Sequence, residues 1–217
     1  MLKDRWRTDK APSAAAPGGP DARLPSRASN GLDQFFSSIQ GLSNLRILDL
    51  AGASQANVTY ITNLGHRLYS DDVLRTLDDA FGGEGDFLEN QSDPERVSYF
   101  LSESLDFDEG QFDGALVWDT LQFLAPPLLT AAVERLHRIL RPQAALLAFF
   151  NAEEKATVIP AFSYRIVDAK TLLLAPRGQR KPVQFFNNRS LEKLFQNFQS
   201  VKFFLTRDHL REILVKR

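Results

Sequence analysis

The sequence predicts an α/β domain: a doubly wound, mostly parallel sheet that ends in an antiparallel hairpin. Three observations carry this. From residue 31 onward, short apolar runs of strand type alternate with amphipathic runs of helix type. The run 144–150 has no polar residue, which suits a central parallel strand covered on both faces. The last two β-rich runs, 201–206 and 211–216, are joined by a link so short that they must pair antiparallel.

The elements follow in order. Residues 1–30 read as a disordered tail, because the Pro-, Gly- and Ala-rich run 11–20 offers nothing large to bury. Residues 31–217 read as one domain. A first helix over 31–40 carries Phe35, Phe36 and Ile39 on one side. A strand at 46–50 leads into the small-residue turn Ala51-Gly52-Ala53-Ser54. A helix over 57–64 follows, then a strand at 66–70 that ends at Asp71 and Asp72. Val73 to Phe81 is helical, and 82–93 is an acidic, glycine-rich loop.

Asp93-Pro94-Glu95 is a helix start: a capping carboxylate, a proline at the first helical position, and an acid near the positive end of the dipole. That helix runs to about residue 105. Phe112 to Trp118 is a strand, and 128–140 a helix stopped by Arg141-Pro142. Residues 155–188 read as an inserted hairpin, with strands at 162–167 and 171–175. A helix over 190–198 precedes the final pair of strands.

The chain has 217 residues and a formal net charge of -1, unevenly spread. Residues 31–154 carry 7 basic against 20 acidic side chains, and residues 155–217 carry 13 against 4. Such asymmetry suits either an anionic partner or two regions that attract each other. There is no cysteine, so disulfides, thiol nucleophiles and cysteine-bound zinc are excluded. The lack of cysteine fits a cytoplasmic protein. His66, His137 and His209 are far apart and none sits in a metal-ligand spacing, so no metal is expected. No run approaches about 18 consecutive apolar residues, and the N-terminus lacks the apolar core of a signal peptide, so neither membrane insertion nor export is expected.

Four places, in order, resemble the class I S-adenosylmethionine-dependent methyltransferases, over most of residues 40–217. The first is Ile47-Leu48-Asp49-Leu50-Ala51-Gly52-Ala53-Ser54-Gln55, where that family carries D-x-G-x-G-x-G. Ala51, Ala53 and Gln55 replace the three glycines, and Gly52 stands one place out of register. The second is Leu68-Tyr69-Ser70-Asp71, whose acid matches the ribose ligand at the end of a second strand. The third is Phe112 to Leu124, followed by Arg138-Ile139-Leu140-Arg141-Pro142, which is similar to the family's run before its fifth strand. The fourth is the terminal hairpin, which in that family inserts one antiparallel strand into the sheet.

The resemblance implies a Rossmann-like fold that binds S-adenosylmethionine in the cleft above 51–54. It implies cofactor contacts from Asp49, Ala51, Gly52, Ala53, Ser54, Asp71, Trp118 and Asp119. Asp119 is the candidate base, though methyl transfer mostly needs alignment in a dry pocket. Tyr164, Asn187 and Asn188 are candidates for the substrate wall, facing a methyl acceptor that is either a small molecule or one the sequence does not name. The acid usually found after a third strand is missing, and Ser102 and Glu103 lie nearest to its place.

Other classes find less support. No tyrosine has a lysine four residues on, as short-chain dehydrogenases need, and there is no nucleophile elbow or phosphate loop. Two alternatives stay open. One is a methyltransferase-like module without catalysis that binds an anionic partner. The other is nucleic-acid binding through Arg177, Arg180 and Lys181, with Phe185 and Phe186 as stacking surfaces.

Overall fold

The computed structural model describes residues 24–204, 206 and 209–217. Residues 1–23 of the expected tail, and Asp208 in the last turn, lie outside them.

Six strands form the main sheet: β2 (Arg46–Asp49), β3 (Arg67–Ser70), β4 (Phe112–Trp118), β5 (Leu140–Asn151), β8 (Ser200–Phe204) and β9 (Leu210–Lys216). Their order is β3-β2-β4-β5-β9-β8. The first four are parallel, and β9 runs antiparallel between β5 and β8. This is the doubly wound, Rossmann-like arrangement with a terminal antiparallel hairpin that the sequence predicts. Among the described residues no strand lies outside β3, in keeping with the missing third strand.

Helices cover both faces. α1 (Asn30–Ile39) and α2 (Gln55–Asn63) lie on one face. α3 (Val73–Phe81), α5 (Pro94–Ser104), α6 (Pro126–Ile139) and α7 (Asn188–Leu194) lie on the other. Local chemistry sets their starts. Ser29, Asp72, Asp93 and Asn187 each accept a hydrogen bond from a free amide of the first turn. Gly114 in β4 has no side chain because Phe35 of α1 fills its place: a Cβ there would stand 2.9 Å from the ring.

Three features differ from the sequence reading. The expected loop 82–93 contains a short helix, α4 (Phe87–Asn90), whose start Asp86 caps. The inserted hairpin is longer than expected: β6 (Ile159–Ile166) and β7 (Thr171–Arg180). It forms a second, three-stranded sheet with β1 (Ser26–Ala28), in the order β1-β7-β6. So the end of the expected tail is a strand. Arg27 of β1 is buried and paired with the fully buried Glu212 of β9. The Ser29 hydroxyl and the Gly31 amide also donate to Glu212, at 3.0 and 2.6 Å. This four-part cluster ties residues 27–31 to the last strand.

Candidate functional site

The strand order places the site. From β2 the chain winds outward to β3, then crosses back to β4 on the other side of β2. A crevice opens at such a reversal, outside the carboxyl ends of the two strands. Here those ends carry Asp49 and the turn 51–54 from β2, and Trp118 and Asp119 from β4. Asp71 and Asp72 close the end of the neighbouring β3. The turn is tight. Gly52 has φ +88°, and a Cβ on it would stand 3.1 Å from the Asp72 carboxylate.

The floor of the crevice is an internally satisfied carboxylate. Asp49 is fully buried. One oxygen accepts from the Trp118 indole Nε1 at 2.7 Å and from the Ala51 amide at 3.1 Å. The other accepts from the Asn57 side-chain amide at 2.8 Å. Burial still pushes the Asp49 carboxyl above its ordinary value, against the pull of these donors. Trp118 holds its position in a left-handed backbone conformation, φ +57°, which is costly for a large side chain.

The inserted hairpin forms the roof. Tyr164 of β6 stacks flat on the Trp118 indole, with centroids 4.9 Å apart and planes 5° from parallel. Both rings are buried. Asn57 brackets this part of β6. Its amide donates to the Tyr164 carbonyl at 2.9 Å, and its oxygen accepts from the Ile166 amide at 2.8 Å. From β7, Arg177 makes a two-pronged pair with Asp72, at 2.7 and 2.8 Å, and reaches the Ala51 carbonyl. Arg180 makes a second fork with Asp78 and lies over the Phe123 ring.

Two more carboxyls line the cleft. Asp119 is 1 % exposed and accepts from the Phe162 amide of β6 at 3.4 Å. Burial pushes its pKa up to about 7, although the Phe162 amide, the Tyr164 hydroxyl and the Arg177 charge favour its anion. Asp71 is partly buried, and burial pushes it up to about 6, with Asp72 and Glu103 adding repulsion. Asp72 spends its side chain on the cap of α3 and on Arg177. Asp71 does neither. An open recess of about 270 Å³ borders the turn, lined by Ala53, Ser54, Gln55, Ala56, Ser163 and Arg165.

No family model matches the chain, and no curated protein matches it. Among the solved structures of similar layout are S-adenosylmethionine-dependent methyltransferases. One is the 1,6-didemethyltoxoflavin N1-methyltransferase of Burkholderia thailandensis, with bound 1,6-didemethyltoxoflavin and S-adenosylhomocysteine. It is 15 % identical, over 86 % of this chain and 76 % of that one, with a TM-score of 0.47. Another, from Methanosarcina mazei, is 13 % identical over 81 % and 93 % of the two chains, with a TM-score of 0.46. A third, from Archaeoglobus fulgidus, is 12 % identical over 86 % and 91 %, with a TM-score of 0.47. These are likenesses of overall layout at low identity.

All eight residues expected at the cofactor cleft lie around one crevice, but they do not form an open pocket. Asp49 and Trp118 are bonded to each other, Asp119 is bonded to the hairpin, and all three are buried. Ala51 is buried, Gly52 and Ser54 are partly exposed, and Ala53 is exposed. Glu103 lies close enough to Asp71 to raise its pKa. Tyr164 sits at the centre of the cleft. Asn187 instead caps α7, and Asn188 begins it, so neither lines the roof. The expected basic stacking surface is also different: Arg177 and Arg180 are engaged with acids, and Phe186 is buried.

Sequence reading missed Asn57 and the two arginine forks. The opposite charges of the body and the C-terminal part were the signal for the forks. Among the described residues no cluster of three His, Cys, Asp or Glu side chains could hold a metal ion. No helix of these residues is long and apolar enough to cross a membrane.

Proposed function

We propose that the chain is an S-adenosylmethionine-dependent methyltransferase-like protein acting at the cleft between β2 and β4. The observation that carries this is the set of polar groups at the strand reversal. The turn 51–54 lies beneath the place of a cofactor, and Asp71 stands at the end of β3 with its carboxyl unspent on helix capping. Asp71 suits the ribose end of the cofactor, and Ala53 and Ser54 the polar end beside the start of α2. The middle of the seat is taken by Tyr164 above Trp118.

When bound, the cofactor supplies a methyl group already activated on a sulfonium. The chain's own part is then to align, to exclude water and to hold a proton. Asp119 suits the last task, with a pKa of about 7 in a dry setting. The acceptor is a small molecule of undefined structure. The cysteine-free composition supports a cytoplasmic setting.

A second reading has its own observation. The filled cleft, with Asp49 satisfied from inside the chain, favours a methyltransferase-like module without catalysis. Titration with S-adenosylhomocysteine by calorimetry separates the two. The first reading expects saturable binding that weakens at least about tenfold in Asp71→Ala, a loss of about 1.4 kcal/mol. The second expects no binding up to about 1 mM ligand, by either the native chain or a chain whose hairpin has been loosened.

A further inference from the structure

We propose that the β6–β7 hairpin is a gate that holds its own tyrosine in the ligand's seat. Tyr164 covers the face of Trp118 in place of the ligand's flat or cationic part, and binding at the cleft requires the hairpin to lift. This rests on the reading of the cleft as a cofactor seat.

Three observations converge on it. The first is the stack. The two rings lie 5° from parallel, while the other rings around them, Phe149 and Phe162, meet Tyr164 edge-on. Lifting Tyr164 bares an indole face with Asp49 bonded to its nitrogen and Asp119 next in the chain. An aromatic face beside carboxylates suits a flat, positively charged ligand. The group that now occupies it is a neutral ring of similar thickness.

The second is where the hairpin is fastened. It belongs to a sheet separate from the main one. One set of its polar ties lies at the cleft: Asn57 to the backbone of Tyr164 and Ile166, Arg177 to Asp72 and the Ala51 carbonyl, and Phe162 to Asp119, beside its ladder with β1 and the Lys170–Asp33 and Arg180–Asp78 pairs. The Ala51 turn, Asp72 and Asp119 are among the groups that the fold would offer to a ligand. The hairpin therefore competes for them directly.

The third is that the outer ties are breakable. The Arg177 and Arg180 side chains are 23 % and 21 % exposed, and their partners Asp72 and Asp78 are 31 % and 52 % exposed. Ion pairs this close to water are weak and screened by salt. The apolar part of the contact comes from Ile159, Ala161, Tyr164 and Ile166 of β6 and from Leu172 of β7. Such a closure lowers apparent affinity by the fraction of time the cleft is open, and loosening it restores that fraction.

The test uses the full chain carrying Trp6→Phe, so that Trp118 is the only tryptophan. Arg177→Ala and Arg177→Lys are compared with this parent. Neither touches the core, so both keep the fold. S-adenosylhomocysteine is titrated by calorimetry and by Trp118 emission. Amide hydrogen exchange is followed over residues 159–180.

The gate predicts that Arg177→Ala speeds exchange in the hairpin and binds the probe at least about tenfold more tightly than the parent. Arg177→Lys, which keeps the charge and loses the fork, should fall between them. Trp118 emission should shift on binding, as Tyr164 leaves it. Equal affinity in all three proteins would overturn the gate and leave the cofactor reading standing. Faster exchange without any binding up to about 1 mM would overturn both. Unchanged exchange in Arg177→Ala would show that this fork does not hold the hairpin, and would overturn the gate as stated.

Discussion

Asp119 combines near-total burial with a carboxyl that keeps its proton to about pH 7. Its usual value is 3.8, so in the folded chain it binds a proton over a window where the unfolded chain does not. Stability from this residue is therefore complete below pH 3.8 and falls as pH rises toward 7. Asparagine is nearly the same shape, accepts the same Phe162 amide and never ionises. Chemical denaturation between pH 5 and 8 should show Asp119→Asn gaining on the native chain as pH rises. A constant difference across that range would mean that Asp119 titrates as an ordinary carboxylate. Asp71 shifts in the same direction, to about 6, and is common to both proteins, so the difference isolates Asp119.

At the scale of elements, β1 is the part least like its sequence. Ser26-Arg27-Ala28 has no apolar residue larger than alanine and no alternation to mark it as a strand. It is a strand because β7 offers an edge and because Glu212 needs a cation in a dry place. Arg27 supplies that cation. A buried carboxylate that loses its partner costs far more than the pair contributes as a whole. Arg27→Ala should therefore destabilise the fold by about 3–5 kcal/mol, read from urea denaturation. The double variant Arg27→Met, Glu212→Leu should recover most of that loss, since it removes both charges together. If the single variant costs less than about 1 kcal/mol, water reaches Glu212 and the cluster is not dry.

Over the whole molecule, the order of strands and helices was legible because each run carries its own periodicity, and a parallel core strand such as 144–150 has no polar residue to confuse it. The cleft's position was legible too, since it follows from where the strand order reverses. Its contents were not. Nothing near Tyr164 says that its ring will lie on Trp118, 46 positions earlier in the chain. Nothing near Asn57 says that it will hold a hairpin more than 100 residues away. Those contacts depend on how the inserted hairpin folds back, which no local pattern encodes.

The charge asymmetry did encode part of it. The basic C-terminal part meets the acidic body at Arg177–Asp72, Arg180–Asp78 and Lys170–Asp33, all partly or largely exposed. Apart from the buried Arg27–Glu212 pair, the main sheet and its two apolar faces owe little to charge. Salt should therefore separate the two layers of stability. At about 1 M NaCl the screening length falls to about 3 Å, and the exposed forks weaken while apolar burial does not. Amides of residues 159–180 should exchange faster in that salt, while the global unfolding midpoint in urea stays within experimental error or rises. Uniform acceleration across the sheet would mean that the hairpin and the sheet open together, as one cooperative unit. The hairpin could then not lift from the cleft without unfolding the domain beneath it.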